Sequence, residues 1–422
     1  MCGIVAIFGL NARAPKVGRE ELLRIRDGMA SRGPDGHGIW ISPDGPVRFA
    51  HRRLAIIDLS AAAAQPMIST DRDRVIVFNG EIYNYRELQE LLPNAGAGLR
   101  TTSDTEVVLQ LYATMGTAML PRLRGMFAFA LYDIPARRVL LARDLYGVKP
   151  LYIAADAVSV RIASQVRAQL AGGRVSRRQD PAGVVGFFLR GSVPEPFTLY
   201  ERIRELAAGS YAWVDERGLS DPRPYASIAA ILAEAVRDPA AISEPERVEP
   251  MRNAFLESVR YHLVADVRVG AFLSSGRDST SIIGLARDAG AADLKTVTLA
   301  FTEYQGTARD EAPLAEEVAQ HYVTDHTSRV ISKDEFQREF PKVIEAMDQP
   351  TVDGVNSYFV SRAVAEVGIK VALSGTGGDE FSGGYFTLWV LGSTPGSKGS
   401  EFAMRGWARQ LYEMAFRPEG GI

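Results

Sequence analysis

The sequence predicts two domains of different class, an α+β layered domain followed by an α/β domain built on a parallel, doubly wound sheet. Three observations carry this reading. The chain has 422 residues, more than one ordinary core accommodates at roughly 150 residues per domain. Its first half reads as short strands punctuated by turns with helices at intervals, whereas its second half alternates strand and helix. Between the halves lies a stretch rich in Pro, Ala and charge, from 213 to 247, which reads as a linker. The expected domains are therefore 1–212 and 248–422.

In the first half, GIVAIFG, GHGIWI, VRFAHRRLAIID, RVIVFNG, MFAFALYD, RRVLLARD and PLYIA read as strands, bounded by turn signals such as SPDGP. Two segments carry apolar residues at helical spacing, Arg19 to Met29 and Ser103 to Met115. In the second half the order is a helix around Met251 to Leu263, strand VRVGAFLS, a helix from Ser279, strand KTVTLAF, helices from Asp310, Lys333 and Val355, and strand KVALSG. The Gly/Ser-rich LGSTPGSKGS near residue 391 ends the pattern.

Composition narrows the function classes. With 46% apolar and 23% charged residues the chain has the balance of a soluble globular protein. A net charge of -3 with scattered Lys and Arg forms no basic stripe, so nucleic acid is not expected as a partner. No run of about 18 apolar residues occurs and the start lacks a basic leader, which predicts a cytoplasmic protein without membrane attachment.

The single cysteine, Cys2, excludes an intramolecular disulfide framework and any multi-cysteine zinc site. Its position is the informative part. Removal of Met1 leaves a thiol and a free α-amine on one residue, nucleophile and base together. The two groups ordinarily titrate near about 8.5 and about 8, so at neutral pH the amine accepts the thiol proton in a usable fraction of molecules. Most lone cysteines are buried structural residues, but chance puts one at this position only about once in 400. An attacking thiolate also needs donors for an oxyanion and groups that hold the substrate. Asn79, Gly80 and Glu81 follow the apolar run VIVF, Asp104 stands in TSDTE, and Arg53 stands in HRRLAIID. Two acids and one Arg suit the ammonium and carboxylate of a free amino acid. Taken singly, each has a structural reading: a hairpin turn at Asn79-Gly80, a helix cap at Asp104, a surface ion pair at Arg53.

The segments MCGIVAIFG, SRGPDG, HRRLAIID, FNGEIYNY, TSDTEV, GMFAFALYD and RDLYGVKPLY resemble, in order, the signatures of class II glutamine amidotransferases. The resemblance implies an N-terminal-nucleophile hydrolase fold for the α+β domain. By matching positions it implies Cys2 as nucleophile, Asn79 and Gly80 as oxyanion hole, and Arg53, Asn79, Gly80, Glu81 and Asp104 as the glutamine-binding set. Gln165 stands where the family more often has Glu, and Ser31 precedes Arg-Gly-Pro-Asp, neither within the implied site.

In the second half, strand VRVGAFL leads into Ser274-Ser275-Gly276-Arg277-Asp278-Ser279 and then into an amphipathic run. Strand, small-residue loop and helix start form the geometry in which main-chain N–H groups meet an anion. No Gly-Lys-Ser/Thr follows, so γ-phosphate transfer is not implied. A second loop, Ser374-Gly375-Thr376-Gly377-Gly378-Asp379-Glu380, also ends a strand. Both loops belong at the carboxyl edge of a doubly wound sheet, where ligands bind. Asp278 and Asp379 suit Mg²⁺ held between carboxylates and polyphosphate, while ordinary βα turns with capping acids remain the structural alternative.

This pair of loops resembles the pyrophosphatase loop SGGxDS and the segment SGxGxDExxxGY of asparagine synthetases, here SGTGGDEFSGGY, and the resemblance to that family spans roughly residues 1–385. The resemblance implies an AMP- and pyrophosphate-forming carbon–nitrogen ligase that adenylates a carboxylate, aspartate first among acceptors, and amidates it with ammonia from glutamine. It implies ATP and Mg²⁺, with Phe272, Ser274, Ser275, Gly276, Asp278, Ser279, Leu299, Ser374 and Gly375 around the nucleotide and Asp278 and Asp379 on the metal. A homodimer is among the assemblies open to the chain. Ser275 replaces a family Gly and is expected at negative φ; Arg277 replaces an apolar residue and Thr376 a Glu. The family continues well past Ile422, so the synthetase half is expected to be short at its C-terminus, with ATP binding easier to retain than turnover. Three functions stay open: the complete synthetase for asparagine or another amide, a glutaminase with an incomplete synthetase half, and a non-catalytic glutamine- or nucleotide-sensing module.

Overall fold

The computed structural model describes residues 1–10, 18–43, 45–238 and 243–379. The chain divides into two compact units. One comprises Met1–Val184, Val193–Arg268 and Met347–Gln349; the other is built on Val185–Ser192, Val269–Ala346 and the chain from Pro350.

In chain order the first unit holds β1 (Gly3–Gly9), α1 (Arg19–Asp27), β2 (Gly36–Ile41), β3 (Val47–Arg53), β4 (Met67–Ile68), β5 (Arg74–Ile82), α2 (Tyr85–Gln89), α3 (Asp104–Met115), β6 (Gly125–Asp133), β7 (Arg138–Arg143), β8 (Tyr152–Ala155), β9 (Ser159–Ala163) and α4 (Val166–Ala171). After α5 (Pro181–Arg190), which straddles the division, come β10 (Arg204–Glu205), β11 (Ser210–Asp215), β12 (Gly218–Leu219), β13 (Arg223–Pro224), α6 (Ile228–Arg237) and α7 (Glu244–His262). The second unit holds β14 (Val269–Phe272), α8 (Arg277–Asp288), β15 (Lys295–Phe301), α9 (Ala312–His321), β16 (Asp325–Ile331), α10 (Lys333–Ala346), α11 (Gly354–Glu366) and β17 (Val371–Leu373).

The first unit is a four-layer α+β sandwich. One antiparallel sheet runs β10-β8-β9-β1-β3-β2 and the other β12-β11-β7-β6-β5-β4, with β13 on β11. The run IVAIF in β1 is apolar throughout because both of its faces are covered. Ile4, Ala6 and Phe8 pack between the sheets with Val75 and Val77 of β5, while Val5 and Ile7 pack under α1 and α4 against Leu22, Ile25 and Ala168. On the far side of β5, Ile76, Phe78 and Ile82 pack against Val107, Val108 and Leu111 of α3. Each such fully buried aliphatic side chain contributes about 1.5–3 kcal/mol, so the two central strands are held from both faces.

The second unit carries a parallel sheet in the order β16-β15-β14-β17. Its first strand, β14, therefore has later strands on both sides, and the order reverses between β14 and β17. In open α/β sheets the crevice outside the strand ends at such a switch point is where ligands bind. The α+β and α/β classes expected from the sequence are both present. No helix among the described residues is long and apolar enough to cross a membrane.

Three sequence expectations need correction. The stretch from 213 is not linker at its start, because β11 pairs with β7 over Tyr211–Val214 and turns back through β12 in a tight hairpin. DERG is that hairpin's turn, with Gly218 at φ 110°, and its turn residues read as linker because turns and linkers share composition. The chain also stays with the first unit through α7 to Arg268. Finally, β16 was not foreseen: DHTSRVI is polar through most of its length, as suits the edge strand it is, and only its pairing with β15 over seven positions makes it a strand. The expectations for Glu380 and beyond, including LGSTPGSKGS and a short C-terminus, lie outside the described residues.

Candidate functional site

Cys2 stands immediately ahead of β1, the strand between β3 and β9. Leu54 N donates to its Sγ at 3.4 Å, the Sγ lies 3.6 Å from Leu54 O, and Arg32 Nε donates to its carbonyl at 3.0 Å. Burial raises the thiol above its ordinary value, with the Leu54 contact acting against it. The chain's α-amine, on Met1, is lowered to about 6, chiefly by burial. The surroundings thus favour a protonated thiol beside a neutral amine, the pairing in which an amine acts as base.

A pocket beside Cys2 is lined by Arg53, Gly80, Glu81, Asp104, Leu54, Gln65, Ser103 and Thr105. Strand geometry explains how β5 supplies it. Alternate residues point their N–H groups to one edge, and β4 covers that edge only as far as Ile76. Beyond it, Phe78 N donates to Gln65 Oε1 at 2.7 Å and Ile82 N to Asp104 Oδ2 at 2.9 Å. Gly80 N–H points the same way, between them. A hairpin turn at Asn79-Gly80 is therefore excluded, since both residues sit inside β5. The glycine is required by close approach, because a Cβ there would lie 2.3 Å from Met126 O of β6.

Asn79 alternates with Val75 and Val77, so it faces the space between the sheets where β1 lies. It is 0% exposed, and neither atom of its amide has a hydrogen-bond partner. An unsatisfied buried amide costs about 1–3 kcal/mol, so it is a feature that calls for a ligand. His51 on β3 is also fully buried, with Nε2 3.1 Å from Phe78 O. Burial pulls it down to about 3 and it is a neutral ring at physiological pH.

Asp104 is 4% exposed and is the first residue of α3, not its cap; the cap is Ser103, whose side chain accepts from Thr105 N. Asp104 Oδ1 also accepts from Thr105 N at 2.7 Å. Burial raises the Asp104 carboxyl to about 7, and nearby Glu81 adds to the rise. Glu81 is paired with buried Lys149, Nζ to Oε2 at 3.2 Å. Arg53 donates through Nη1 to Ser60 O at 2.8 Å and through Nη2 to Asp58 O, and these carbonyls orient the guanidinium without cancelling its charge. Of the first-site residues singled out in the sequence, Cys2, Arg53, Gly80, Glu81 and Asp104 thus come together on one pocket, with Asn79 buried behind it. Sequence reasoning missed Lys149, Gln65 and Arg32. Lys149 was visible inside RDLYGVKPLY, but nothing in that segment says which carboxylate it meets.

In the second unit a cleft of about 1250 Å³ opens at the switch point. Phe272, Ser274, Gly276, Asp278, Ser279, Leu299, Ser374, Gly375 and Asp379 all line it, together with Arg277, Arg309 and Thr376. Ser275 does not. The helix expected from Ser279 begins at Arg277 with Gly276 as its cap, and Ser279 Oγ turns back to Gly276 O at 3.1 Å. The expectation of negative φ at Ser275 is overturned: its φ is 57°, the left-handed region that costs an L side chain about 1–2 kcal/mol. The two loops touch, since a Cβ on Gly378 would fall 2.2 Å from Asp278 Oδ2. Asp379 is the next residue, and Asp278 and Asp379 both line the cleft. No group of three or more metal-ligating side chains occurs among the described residues, but two carboxylates with phosphate oxygens and water form a donor set that suits Mg²⁺.

The sequence matches the Glutamine amidotransferase domain family over residues 1–226 and the Asparagine synthase family over 251–417. Asparagine synthetase [glutamine-hydrolyzing] 1 of Bacillus subtilis is 36% identical over 388 residues, which cover 91% of this chain and 59% of that protein. A putative asparagine synthetase [glutamine-hydrolyzing] 2 of Methanocaldococcus jannaschii is 31% identical over 408 residues, 92% of this chain and 76% of that one. A protein of Gibberella zeae named Amidase chry2 is 30% identical over 420 residues, 91% of this chain and 59% of its own length. The chain thus spans about three fifths of the length of the B. subtilis relative.

Proposed function

The chain belongs to the family of glutamine-hydrolysing asparagine synthetases, and on that premise we propose that it is a glutamine-dependent amidotransferase. Its first unit hydrolyses glutamine at Cys2. Its second unit adenylates a carboxylate with ATP, aspartate being the acceptor proposed, and ammonia displaces AMP to form the amide. The observation that carries the reading is Asn79, a fully buried amide with no partner on either atom, facing the strand that Cys2 begins.

With Met1 removed, the Cys2 amine takes the thiol proton and the thiolate attacks the side-chain amide carbon of glutamine. The oxyanion is received by Asn79 Nδ2 and Gly80 N–H, a pre-formed pair that needs no reorganisation at the moment of attack. The amine then gives the proton to the leaving nitrogen, ammonia departs, and water cleaves the thioester to glutamate. Arg53 takes the substrate carboxylate, and Asp104, with Glu81 beside it, takes the ammonium. Because Glu81 already pairs with the Lys149 ammonium, whereas Asp104 accepts from the neutral N–H groups of Ile82 and Thr105, Asp104 is the stronger candidate of the two.

In the second unit the loop N–H groups at the start of α8 receive the phosphates, while Phe272 and Leu299 flank the nucleotide. Asp278 and Asp379 would hold Mg²⁺, which when bound neutralises charge on the pyrophosphate leaving group. A second reading, a glutaminase whose synthetase half binds nucleotide without turnover, is favoured by strained Ser275 and by Arg277 beside the phosphate loop.

Cys2→Ala tests the assignment. Glutamate release is expected to fall by about 10⁴-fold or more, while AMP formation from ATP, aspartate and free ammonium continues. Asp278→Asn or Asp379→Asn is expected to give the reverse pattern. Glutamate release that survives Cys2→Ala overturns the nucleophile, and AMP formation absent from the wild type favours the second reading.

A further inference from the structure

The loop that follows Arg53 is organised around one residue. Asp58 sits at φ 53°, in the left-handed region that side chains other than glycine rarely adopt, and it is buried. Its carbonyl receives Arg53 Nη2, and its carboxylate accepts Ser60 N at 2.9 Å through Oδ1 and Thr102 N at 2.9 Å through Oδ2. Thr102 is two residues ahead of Asp104. Asp58 therefore joins the cation and the acid assigned to opposite ends of the substrate. Burial alone would raise its carboxyl, but the Ser60 and Thr102 hydrogen bonds outweigh that and hold it below the ordinary value.

The main chain of Asp58 is in turn held by Asp266. Asp58 N donates to Asp266 Oδ2 at 2.7 Å, and Asp266 N donates to Ile56 O at 2.8 Å. Asp266 belongs to the first unit, in the segment between α7 and β14. It is 208 positions away in sequence. An extended carboxylate contact on the N–H of a left-handed residue is a specific lock, since it fixes the peptide plane that otherwise relaxes to a less strained conformation.

We propose that Asp266 is a positioning residue for glutamine recognition, latching Asp58 so that Arg53 and Asp104 keep the spacing of an α-amino acid. This rests on the reading of the first site as a glutamine site. Asp266 touches none of the reacting atoms, so its loss weakens selection of the amino-acid end of the substrate and leaves the Cys2 thiol itself reactive.

The test uses the full chain with Met1 removed and two thiol reagents, with the adduct on the only cysteine followed by mass spectrometry. Iodoacetamide lacks an amino-acid end; a chloroketone analogue of glutamine carries one. In wild type the chloroketone is expected to label Cys2 much faster than iodoacetamide. In Asp266→Ala the chloroketone rate is expected to drop by about tenfold or more while the iodoacetamide rate stays within about twofold, the loss of a charge-assisted hydrogen bond. Asp266→Asn, which keeps an acceptor oxygen, is expected to recover most of it. If Asp266→Ala does not fold, Asp266→Glu, which displaces the acceptor by one methylene, makes the same comparison. Unchanged chloroketone labelling, or an equal loss with both reagents, overturns the latch. A wild type that shows no preference for the chloroketone overturns the glutamine site itself, and the latch with it.

Discussion

The two units keep their polar groups in different places. In the first, Asn79, Asp104, Glu81 and Lys149 are buried at the seam between packed layers, on or beside strands whose other residues are core. In the second, Ser274, Gly276, Ser374 and Thr376 on loops and Arg277 at the start of α8 are exposed at the rim of a sheet. A site built into a core is already desolvated, and that burial displaces Asp104 and the α-amine from their ordinary titration. A rim site is assembled from backbone N–H groups and adapts to a polyanion. The contrast predicts that single side-chain changes cost far more in the first unit than in the second.

Asn79→Ala tests the buried side of that contrast. Loss of one oxyanion donor is expected to lower kcat for glutamine hydrolysis by about 10²–10³-fold with KM little changed. Steady-state kinetics read both constants, and a loss confined to KM would move Asn79 from the oxyanion to substrate binding.

The pH profile sharpens the same point. The Asp104 carboxyl is raised to about 7, so its charged form is gained as pH rises through neutrality, and only the charged form pairs with an ammonium. Between about pH 6 and 8, kcat/KM for glutamine is expected to climb about tenfold and then level off. Asp104→Asn should flatten the climb. A wild-type profile that falls over this range would remove Asp104 from ammonium recognition.

The smallest effect belongs to the rim. Ser275→Gly relieves a left-handed serine and is expected to stabilise the chain by about 1 kcal/mol, read as a shift of the urea midpoint with glutamine hydrolysis unchanged. Destabilisation would mean that the serine side chain makes contacts that outweigh its backbone strain.

Much of the candidate site was legible in the sequence, for reasons that differ by residue. Cys2 was legible because a lone thiol next to the initiator is rare, and Asn79-Gly80-Glu81 because it closes an apolar run. Asp278 and Asp379 were legible because each follows a strand in a small-residue loop. Lys149 and Asp266 were not, since each acts on a residue distant in sequence, and a charge in a sequence does not name its partner. β16 was missed because its stability comes from pairing with β15 rather than from its own residues.

The sequence by itself determined the two domain classes, the central strands, the candidate nucleophile and the two small-residue loops proposed to face phosphate. All of these rest on local signals: apolar periodicity, turn residues and spacing within one segment. Only the tertiary structure decided that Gly80 is a glycine of close approach rather than of a turn, that Ser275 is strained, and that residues 210–224 join the β7-containing sheet of the first unit. It alone also brought Arg53, Asp58, Thr102 and Asp266 onto one hydrogen-bond network beside Asp104. These depend on which buried surfaces meet, and that choice is made by packing free energy summed over the whole core, which no single window of sequence contains.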